Sequence, residues 1–471
     1  MNEKKKTSIQ KVIDTGGGLQ KTLKTRDAIM VGVGGTLGTG LFLSSGDVLS
    51  GAGPGGTILA YLIGGFIIWL MTVCLGEMCT AMPISGSIQA YATEFINPAM
   101  GFTIGWVNWL GSAITITCQI VASAIIMKNI IPSSPTVLWI ILFSILLFGV
   151  NFFNVEQYGN VSFWFSSLKI VLVIAFVIVG IFLTLGFGSG DSVGLSNYTN
   201  HGGLFPLGLA GVGSVMLSAF YAFGGTEMVA ATAGEIEKEE DIPKSINWTI
   251  FLLIGVYIVC MLVLAALLPW DQANLKGSPF AYAFEHFGLK GAALIVNILV
   301  LTSALTSGNY FVYACTRYLW SLAKFNQAPK FCAITNKKGV PVYALAISMA
   351  FAVIGIISQF VAEDTVYLFL IYLIGGCNIF MYTVICICQY RFRKRYVNEG
   401  GRVEDLKYKV PAYPLIPILG VLSYIGILVI TLLDPSEAIA IYVSTPIYLA
   451  IYIGFKIYTK KKNVKAINID L

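Results

Sequence analysis

The sequence predicts an all-α membrane protein with twelve transmembrane helices, and three observations support that prediction. Of the 471 residues, 56% are hydrophobic and only 11% are charged, whereas a typical soluble domain has about 25% charged residues. The apolar residues are collected into runs of about 20–25 residues, the length that crosses a bilayer. The basic residues lie almost entirely between alternate runs. Lipid is therefore the expected solvent, and the net charge of +6 indicates membrane topology rather than nucleic-acid binding.

Twelve apolar runs define the predicted spans. Each is expected to be a helix, because open sheet edges are not tolerated in hydrocarbon. The spans lie near residues 26–49, 57–82, 100–127, 137–155, 161–187, 206–234, 244–268, 291–321, 341–360, 365–390, 414–433 and 437–458.

The basic residues predict the orientation of these spans. Of the 30 Lys and Arg residues, 26 fall on one set of tails and loops. The opposite set holds only Lys128, Lys276 and Lys290, and Lys169 falls inside a span. By the positive-inside rule, both termini are cytoplasmic. We therefore expect a multi-pass protein of the plasma membrane.

Cysteine and histidine usage argues against an enzyme or a metal site. The nine cysteines are odd in number and most fall inside apolar runs, so a disulfide framework is not expected. The two histidines, His201 and His286, lie in predicted loops. No cofactor and no catalytic residue is predicted.

Glycine-rich segments interrupt the first and sixth spans, at residues 32–42 and 220–227. Each glycine disfavours the helix by about 1 kcal/mol, and unwound backbone in a membrane is tolerated where it lines a cavity. One alternative is close helix packing, since Gly34 and Gly38 fit a small-xxx-small pattern. Two breaks five spans apart are typical of two inverted five-helix repeats with a ligand site between them.

This pattern divides the chain into five predicted regions. The repeats occupy residues 25–190 and 205–391, and the last two helices occupy residues 414–458. Cytoplasmic tails are expected at residues 1–24 and 459–471.

Several motifs give the chain a family resemblance. The segment Gly34–Phe42 resembles the first-helix motif of the amino acid–polyamine–organocation superfamily. Further similar motifs lie at residues 52–54, 75–77, 82–87, 225–227, 233–235, 308–309, 314–317 and 339–341. The similarity covers roughly residues 20–455 and is greatest to bacterial lysine and arginine/ornithine permeases.

This resemblance implies a secondary amino acid transporter that works by alternating access and is coupled to protons, with basic amino acids as one possible substrate class. An exchanger of amino acids or amines, and a sensor that binds without flux, are the alternatives. The implied partners are a free amino acid, a proton and the lipid bilayer, without nucleic acid.

The resemblance implies a substrate site at the two breaks. Gly38, Thr39 and Gly40 would offer N–H groups to the substrate carboxylate, with the Thr39 hydroxyl as a further donor. The break at Ala222, Phe223, Gly224 and Gly225 would offer carbonyls to the ammonium, and Tyr221 would close over the substrate. Thr39 bonded back to its own helix, and Tyr221 acting only in packing, remain the alternatives.

Two further positions bear on specificity. Gln119 lies in the middle of the third span, where related basic amino acid permeases have an acidic residue. An amide there weakens the case for a cationic substrate, although Gln119 would also serve as a hydrogen bond between helices. Gly224 replaces a larger polar residue of related lysine permeases, which leaves room for a substrate side chain or changes specificity.

Lys169 and Glu227 are the candidate proton carriers, because charges inside a membrane are rare and usually functional. Lys169 matches a fifth-helix lysine that, in proton-coupled members, lies against the broken first helix. Snorkelling to the interface is its alternative role. Glu227 follows the sixth-helix break, and capping of the next half-helix is its alternative.

Overall fold

The computed structural model describes residues 24–82, 87–153, 158–187, 194–227, 236, 241–273, 277–336, 338–359 and 363–462. Apart from an isolated bridge residue, Ile236, the regular secondary structure of these residues is helical. The all-α prediction is therefore confirmed for this part of the chain. Most of both predicted tails, and the motif at residues 233–235, lie outside the described residues.

Seventeen helices are labelled here in chain order within the described residues. They are α1 (Thr25–Thr36), α2 (Thr39–Phe42), α3 (Ser45–Ala81), α4 (Ser87–Phe95), α5 (Pro98–Ile130), α6 (Thr136–Phe153), α7 (Tyr158–Thr184), α8 (Ser196–Thr199), α9 (Gly208–Gly213), α10 (Met216–Ala222), α11 (Ile242–Leu267), α12 (Pro279–His286), α13 (Lys290–Lys324), α14 (Val342–Ala350), α15 (Glu363–Asn398), α16 (Leu415–Leu433) and α17 (Pro435–Lys462). Short 3₁₀ helices cover Trp270–Gln272, Lys330–Ala333, Phe351–Gln359 and Val403–Asp405. His286 ends α12, although the sequence placed it in a loop.

The first predicted span is broken where its glycines predict a break. Helix α1 ends at Thr36, and Leu37 (φ −70°, ψ 86°) and Gly38 (φ −131°, ψ −145°) leave helical geometry. The helix resumes as α2. Gly53 then divides α3, because its φ of 73° and ψ of 178° are not helical. The following residue, Pro54, suits the first turn of a new helix, so α3 combines the end of the first span with the whole of the second.

The sixth span is also interrupted. Helices α9 and α10 form its first part, and α10 ends at Ala222. A turn covers residues 223–226, with Gly225 at a φ of 100° that favours glycine. The second half of this span is predicted at residues 228–235, which lie outside the described residues.

Eight helices of the described chain are long and apolar enough to cross a membrane. Three shorter apolar segments lie at Thr136–Phe152, Gly208–Ala222 and Val342–Ile356. The breaks in the first and sixth spans, and the change to a 3₁₀ helix after Ala350, shorten the unbroken helices. A multi-pass membrane protein is therefore evident, whereas the count of twelve spans and their inverted repeat remain predictions.

Helix α5 occupies the centre of the molecule. Most of its apolar window is buried (89%), compared with 28% for α7. Its most extensive packing is against α13, and it also packs along α15. The outer faces of other helices expose apolar side chains such as Val171 and Leu433, as expected of surfaces that meet lipid. The functional candidates on α5 therefore lie in the interior.

Candidate functional site

A cavity of about 30 Å³ lies between the breaks of the first and sixth spans. Its walls also include α5, α13 and α15. The lining residues are Gly35, Thr36, Gly40, Val107, Asn108, Gly111, Ser112, Thr115, Gln119, Tyr221, Gly224, Gly225, Glu227, Phe311, Ile374, Cys377, Asn378 and Met381. This volume holds about one or two water molecules. An amino acid needs more room, so this cavity must enlarge before it can hold one.

Six of the eleven predicted site residues line this cavity. They are Gly40, Gln119, Tyr221, Gly224, Gly225 and Glu227. The other five support the walls: Gly38, Thr39, Ala222, Phe223 and Lys169. The structure therefore brings the two breaks together, with some of these residues lining the cavity and the others behind its walls.

The break in the first span presents backbone N–H groups ahead of a helical turn. Within α2, Leu41 N and Phe42 N both donate to the Gly38 carbonyl, at 3.2 and 3.3 Å. The N–H groups of Thr39 and Gly40 precede these bonds, as the first donors of any helix do. Of these two residues, Gly40 lines the cavity.

Gly40 also allows the two breaks to touch. A Cβ atom at this position would stand 2.6 Å from the Cα atom of Ala222. Such a distance is far below van der Waals contact, so any side chain would push the first and sixth spans apart. Gly38 is similarly confined, since its Cβ would stand 2.9 Å from Ser307 Oγ. The glycines of the first span therefore allow both close helix packing and an unwound backbone, which the sequence analysis gave as alternatives.

The Thr39 hydroxyl is bonded to Tyr221. Thr39 Oγ1 and Tyr221 OH are 2.6 Å apart, and Tyr221 OH is also 3.4 Å from Cys118 Sγ. Thr39 thus neither bonds back to its own helix nor points alone towards the cavity. The pair instead links the two breaks, and its rupture would free both hydroxyls for a substrate.

Ala222 and Phe223 are not among the residues that line the cavity. The Ala222 carbonyl accepts a hydrogen bond from Tyr257 OH, which uses one of its two lone pairs. The Phe223 ring is fully buried and packs against the rings of Tyr61 and Tyr257, with centroids 6.2 and 4.8 Å away. The backbone of the sixth-span break that faces the cavity is therefore that of Gly224 and Gly225.

Unpaired polar atoms face the cavity from two directions. Gln119 Oε1, Asn378 Nδ2 and Thr226 Oγ1 are buried and have no hydrogen-bond partner within the described chain. Gln119 and Asn378 both line the cavity. A buried polar group left without a partner costs roughly 1–3 kcal/mol, so Gln119 and Asn378 would gain from a molecule in the cavity that bonds them.

Asn378 was not found from the sequence. It lies beside Gly224, where an added Cβ would stand 3.1 Å from the Tyr221 carbonyl and 3.4 Å from Asn378 Nδ2. The room expected at Gly224 is therefore partly taken up by an amide from α15. The available signal was a polar residue after Gly375, Gly376 and Cys377 in an otherwise apolar run.

Lys169 is tied to the break of the first span. Its ammonium donates to the Gly34 carbonyl at 2.7 Å and to Ser307 Oγ at 3.0 Å. The side chain is 3% exposed, so it does not reach an interface by snorkelling. Gly34 is in the last turn of α1, where unpaired carbonyls and the helix dipole favour a cation. Ser303 Oγ donates to the neighbouring Leu37 carbonyl at 3.0 Å.

Glu227 lines the cavity at the break of the sixth span. Its Oε2 atom accepts from Gly225 N at 3.2 Å and from Tyr382 OH at 2.8 Å. The carboxylate therefore stabilises the turn before it and anchors that turn to α15. Its predicted role as a cap concerns the half-helix after it, which lies outside the described residues.

The comparisons with known proteins agree with one another. The family model described as "Amino acid permease" matches residues 27–468. The chain is 37% identical to the amino-acid permease RocE of Bacillus subtilis, over 95% of this chain and 97% of that protein. It is 40% identical to a putative histidine permease of the same organism, over 95% and 94% of the two chains. It is 33% identical to the lysine-specific permease LysP of Escherichia coli, over 93% and 94%.

The fold is similar to that of MhsT, solved in complex with L-phenylalanine. The TM-score is 0.57 at 17% sequence identity, with 88% of this chain and 99% of that chain covered. At this level of identity the similarity concerns the fold alone.

Proposed function

The chain belongs to the amino acid permease family, and from this premise we propose that it takes up amino acids by proton-coupled alternating access. The family membership confirms the resemblance inferred from the first-helix motif, and it makes the chain a transporter rather than an enzyme. One observation supports the finer proposal above all. A cavity lies between two helix breaks, and a buried ammonium group is bonded to the backbone of one of them.

The breaks provide complementary groups for an amino acid backbone. The carboxylate is assigned to the N–H groups of Thr39 and Gly40, since anions are stabilised at helix starts. The ammonium is assigned to the backbone of Gly224 and Gly225, because these two residues line the cavity and Ala222 does not. Opening of the Thr39–Tyr221 bond would give the substrate room between them.

The cavity wall favours a neutral side chain that both donates and accepts hydrogen bonds. Gln119 and Asn378 each carry an amide, so the pair offers both donors and acceptors whichever way each amide is turned. An imidazole or a carboxamide matches this pair, and one relative is named as a putative histidine permease. A lysine side chain would find only Glu227 among the acids lining the cavity, and that carboxylate already accepts two hydrogen bonds. Basic amino acids are therefore the second candidate class.

Lys169 is the proposed proton carrier. A buried ammonium is costly, and loss of its proton would weaken its hold on the Gly34 carbonyl and Ser307. Because Gly34 is four residues from Gly38, this change acts directly on the break that receives the substrate. Glu227, on the second break, is the proposed partner for the substrate ammonium or a second proton.

Uptake into empty proteoliposomes tests the function and the carrier together. The wild type is expected to accumulate substrate under an imposed proton gradient. The Lys169→Ala protein should still bind substrate but lose accumulation, whereas Lys290→Ala, which removes an exposed lysine, should behave as wild type. Competition by the twenty amino acids identifies the substrate.

Three outcomes would contradict parts of this proposal. Transport that requires preloaded vesicles would indicate an exchanger, and binding without any flux would indicate a sensor. Intact gradient-driven accumulation by Lys169→Ala would remove Lys169 as the carrier.

The membrane arrangement is part of the same proposal. We infer a plasma-membrane protein with twelve spans, two inverted repeats at residues 25–190 and 205–391, and both termini in the cytoplasm. The distribution of basic residues supports it.

A further inference from the structure

A second group of acids lies away from the central cavity, at the start of α17. Glu437 is 0% exposed, and neither of its carboxyl oxygens has a hydrogen-bond partner within the described chain. The Thr431 hydroxyl at the end of α16 is also fully buried and unpaired among these residues. Glu437 lies near this hydroxyl and the backbone of Leu217 on α10, but neither contact has the geometry of a full hydrogen bond.

The charges that act on Glu437 are themselves acidic. They are Asp47, in the part of α3 that completes the first span, and Asp434, in the turn before α17. Asp47 Oδ2 accepts a hydrogen bond of 2.5 Å from Ser218 Oγ on α10. Tyr372 on α15 lies within electrostatic range of the three acids, and its phenol supplies no positive charge.

Tyr61 on α3 and Tyr367 on α15 also lie within electrostatic range of Asp47. The titratable groups described around this pair are therefore acids and phenols, and no basic side chain is among the charges that act on Glu437.

A carboxylate in this position would be very unfavourable. A buried charge without a counter-charge or hydrogen bonds costs several kcal/mol, and such a group takes up a proton instead. A metal ion is a poorer explanation, because the described chain contains no group of three or more acids, cysteines or histidines placed to hold one. A proton requires only one carboxyl group and a nearby acceptor.

We propose that Glu437 and Asp47 form a second proton-binding site, in which Glu437 holds the proton. The site joins α17 to the parts of the first and sixth spans that flank the cavity. With the proton bound, α17 packs neutrally against α10. Without it, two or three negative charges repel one another at the same contact.

The consequence for transport rests on the proposed function. In the predicted topology this site lies on the side of the membrane opposite the termini. The parts of the first and sixth spans that it joins would move when the cavity opens to that side. High pH on that side should then slow the opening and closing steps, independently of any gradient.

Infrared spectroscopy of the purified protein tests proton binding without any substrate. At neutral pH, the Glu437→Gln protein should lack one protonated-carboxyl C=O band that the wild type shows. Glu285→Gln, which removes an exposed acid from α12, should keep that band. Identical bands in wild type and Glu437→Gln would overturn the proposal.

A second variant covers the case in which Glu437→Gln does not fold. Asp47→Asn keeps Glu437 and removes a repelling charge, so Glu437 should lose its proton, and the band should disappear, at a lower pH than in the wild type. A titration identical to that of the wild type would show that the two acids do not form one site.

The effect on transport is measured as substrate counterflow with the same pH on both faces. The wild-type rate should fall at alkaline pH, whereas Glu437→Gln should keep more of its rate. Parallel pH profiles would overturn the link to transport. A wild type that transports nothing would instead refute the proposed function, and the infrared result would stand separately.

Discussion

At the residue scale, two amides face the cavity with polar atoms that have no partner among the described residues. Gln119 comes from α5 and Asn378 from α15, so they meet the cavity from different helices. Side chains that satisfy buried polar atoms gain affinity, and those that leave them unpaired lose it. The identity of these two residues is therefore expected to set which substrate side chain is accepted.

Replacement of Gln119 by glutamate tests this role. Gln119→Glu adds a charge to the cavity wall and should shift selectivity towards lysine and arginine over neutral amino acids. A hydrogen bond to a charged group contributes roughly 1.5–3 kcal/mol, so the ratio of affinities should change by about tenfold or more. The measurement is competition binding with the purified protein.

The control for this change is Gln272→Glu, which adds the same charge at an exposed position. It should leave the ratio unchanged. An unaltered ratio in Gln119→Glu itself would return Gln119 to a role in helix packing.

The sequence predicted several site residues but not how they pair. Gly40, Tyr221 and Gly225 follow from glycine-rich breaks and motif positions, which are local features. The bond between Thr39 and Tyr221 joins residues 182 positions apart, and no local pattern specifies it. Asn378 was missed for the same reason, because only the packing of α15 shows which of its faces meets the cavity.

At the scale of elements, the contact between the two breaks depends on Gly40. Gly40→Ala places a methyl group against the backbone of Ala222, which cannot move aside as a flexible side chain can. Overpacking of this kind costs about 1–3 kcal/mol. We expect binding of every substrate to be lost to the same extent, since the damage concerns the shared backbone site.

Binding and thermal unfolding should be measured together on this variant. Gly255→Ala is a matched control, because its added methyl group meets nothing within 4 Å on a helix and should preserve binding. Normal affinity in a folded Gly40→Ala protein would refute the site at the breaks.

A buried ion pair joins α3 to α15 at the predicted cytoplasmic side. Glu77, 0% exposed, forms a salt bridge with Arg393, and it also accepts from Gln389 Nε2 at 3.1 Å and Val410 N at 2.6 Å. In the sequence, Glu77 belongs to the motif at residues 75–77, and nothing there identifies its partner. The pair closes α3 against α15 and fixes the loop at Val410.

Glu77→Gln should therefore destabilise the protein strongly. Removal of one member of a buried pair costs about 3–5 kcal/mol, because the other charge is left uncompensated. Glu94→Gln breaks the partly exposed pair with Arg395 and should cost about 0–1 kcal/mol. The measurement is thermal unfolding in detergent, and equal losses in the two variants would contradict this reasoning.

At the scale of the whole molecule, hydrophobic runs predicted the helical class and most helix positions. Runs such as 100–127 and 365–390 correspond to α5 and α15 because a bilayer imposes length and composition on any long helix. The hydrophobic runs did not indicate which helices lie at the centre of the bundle and which lie at its surface. The central position of α5, and the lipid-exposed faces elsewhere, depend on contacts between distant helices.

The predicted topology leads to a test that uses the chain's own cysteines. All nine are free and buried. Cys332 lies outside the long helices, but burial raises the pKa of its thiol. A thiol with a raised pKa forms less thiolate and is therefore less reactive. A membrane-impermeant maleimide should therefore label the wild type weakly in intact cells.

Two introduced cysteines then test the orientation. Position 200 lies in an exposed loop that is predicted to face outside, so the Asn200→Cys protein should be labelled in intact cells. Glu404→Cys is equally exposed, in a loop rich in basic residues, and should be labelled only after the membrane is permeabilised. The reverse pattern would place the basic loops outside, contradict the twelve-span topology with cytoplasmic termini, and move the Glu437 site to the cytoplasmic side.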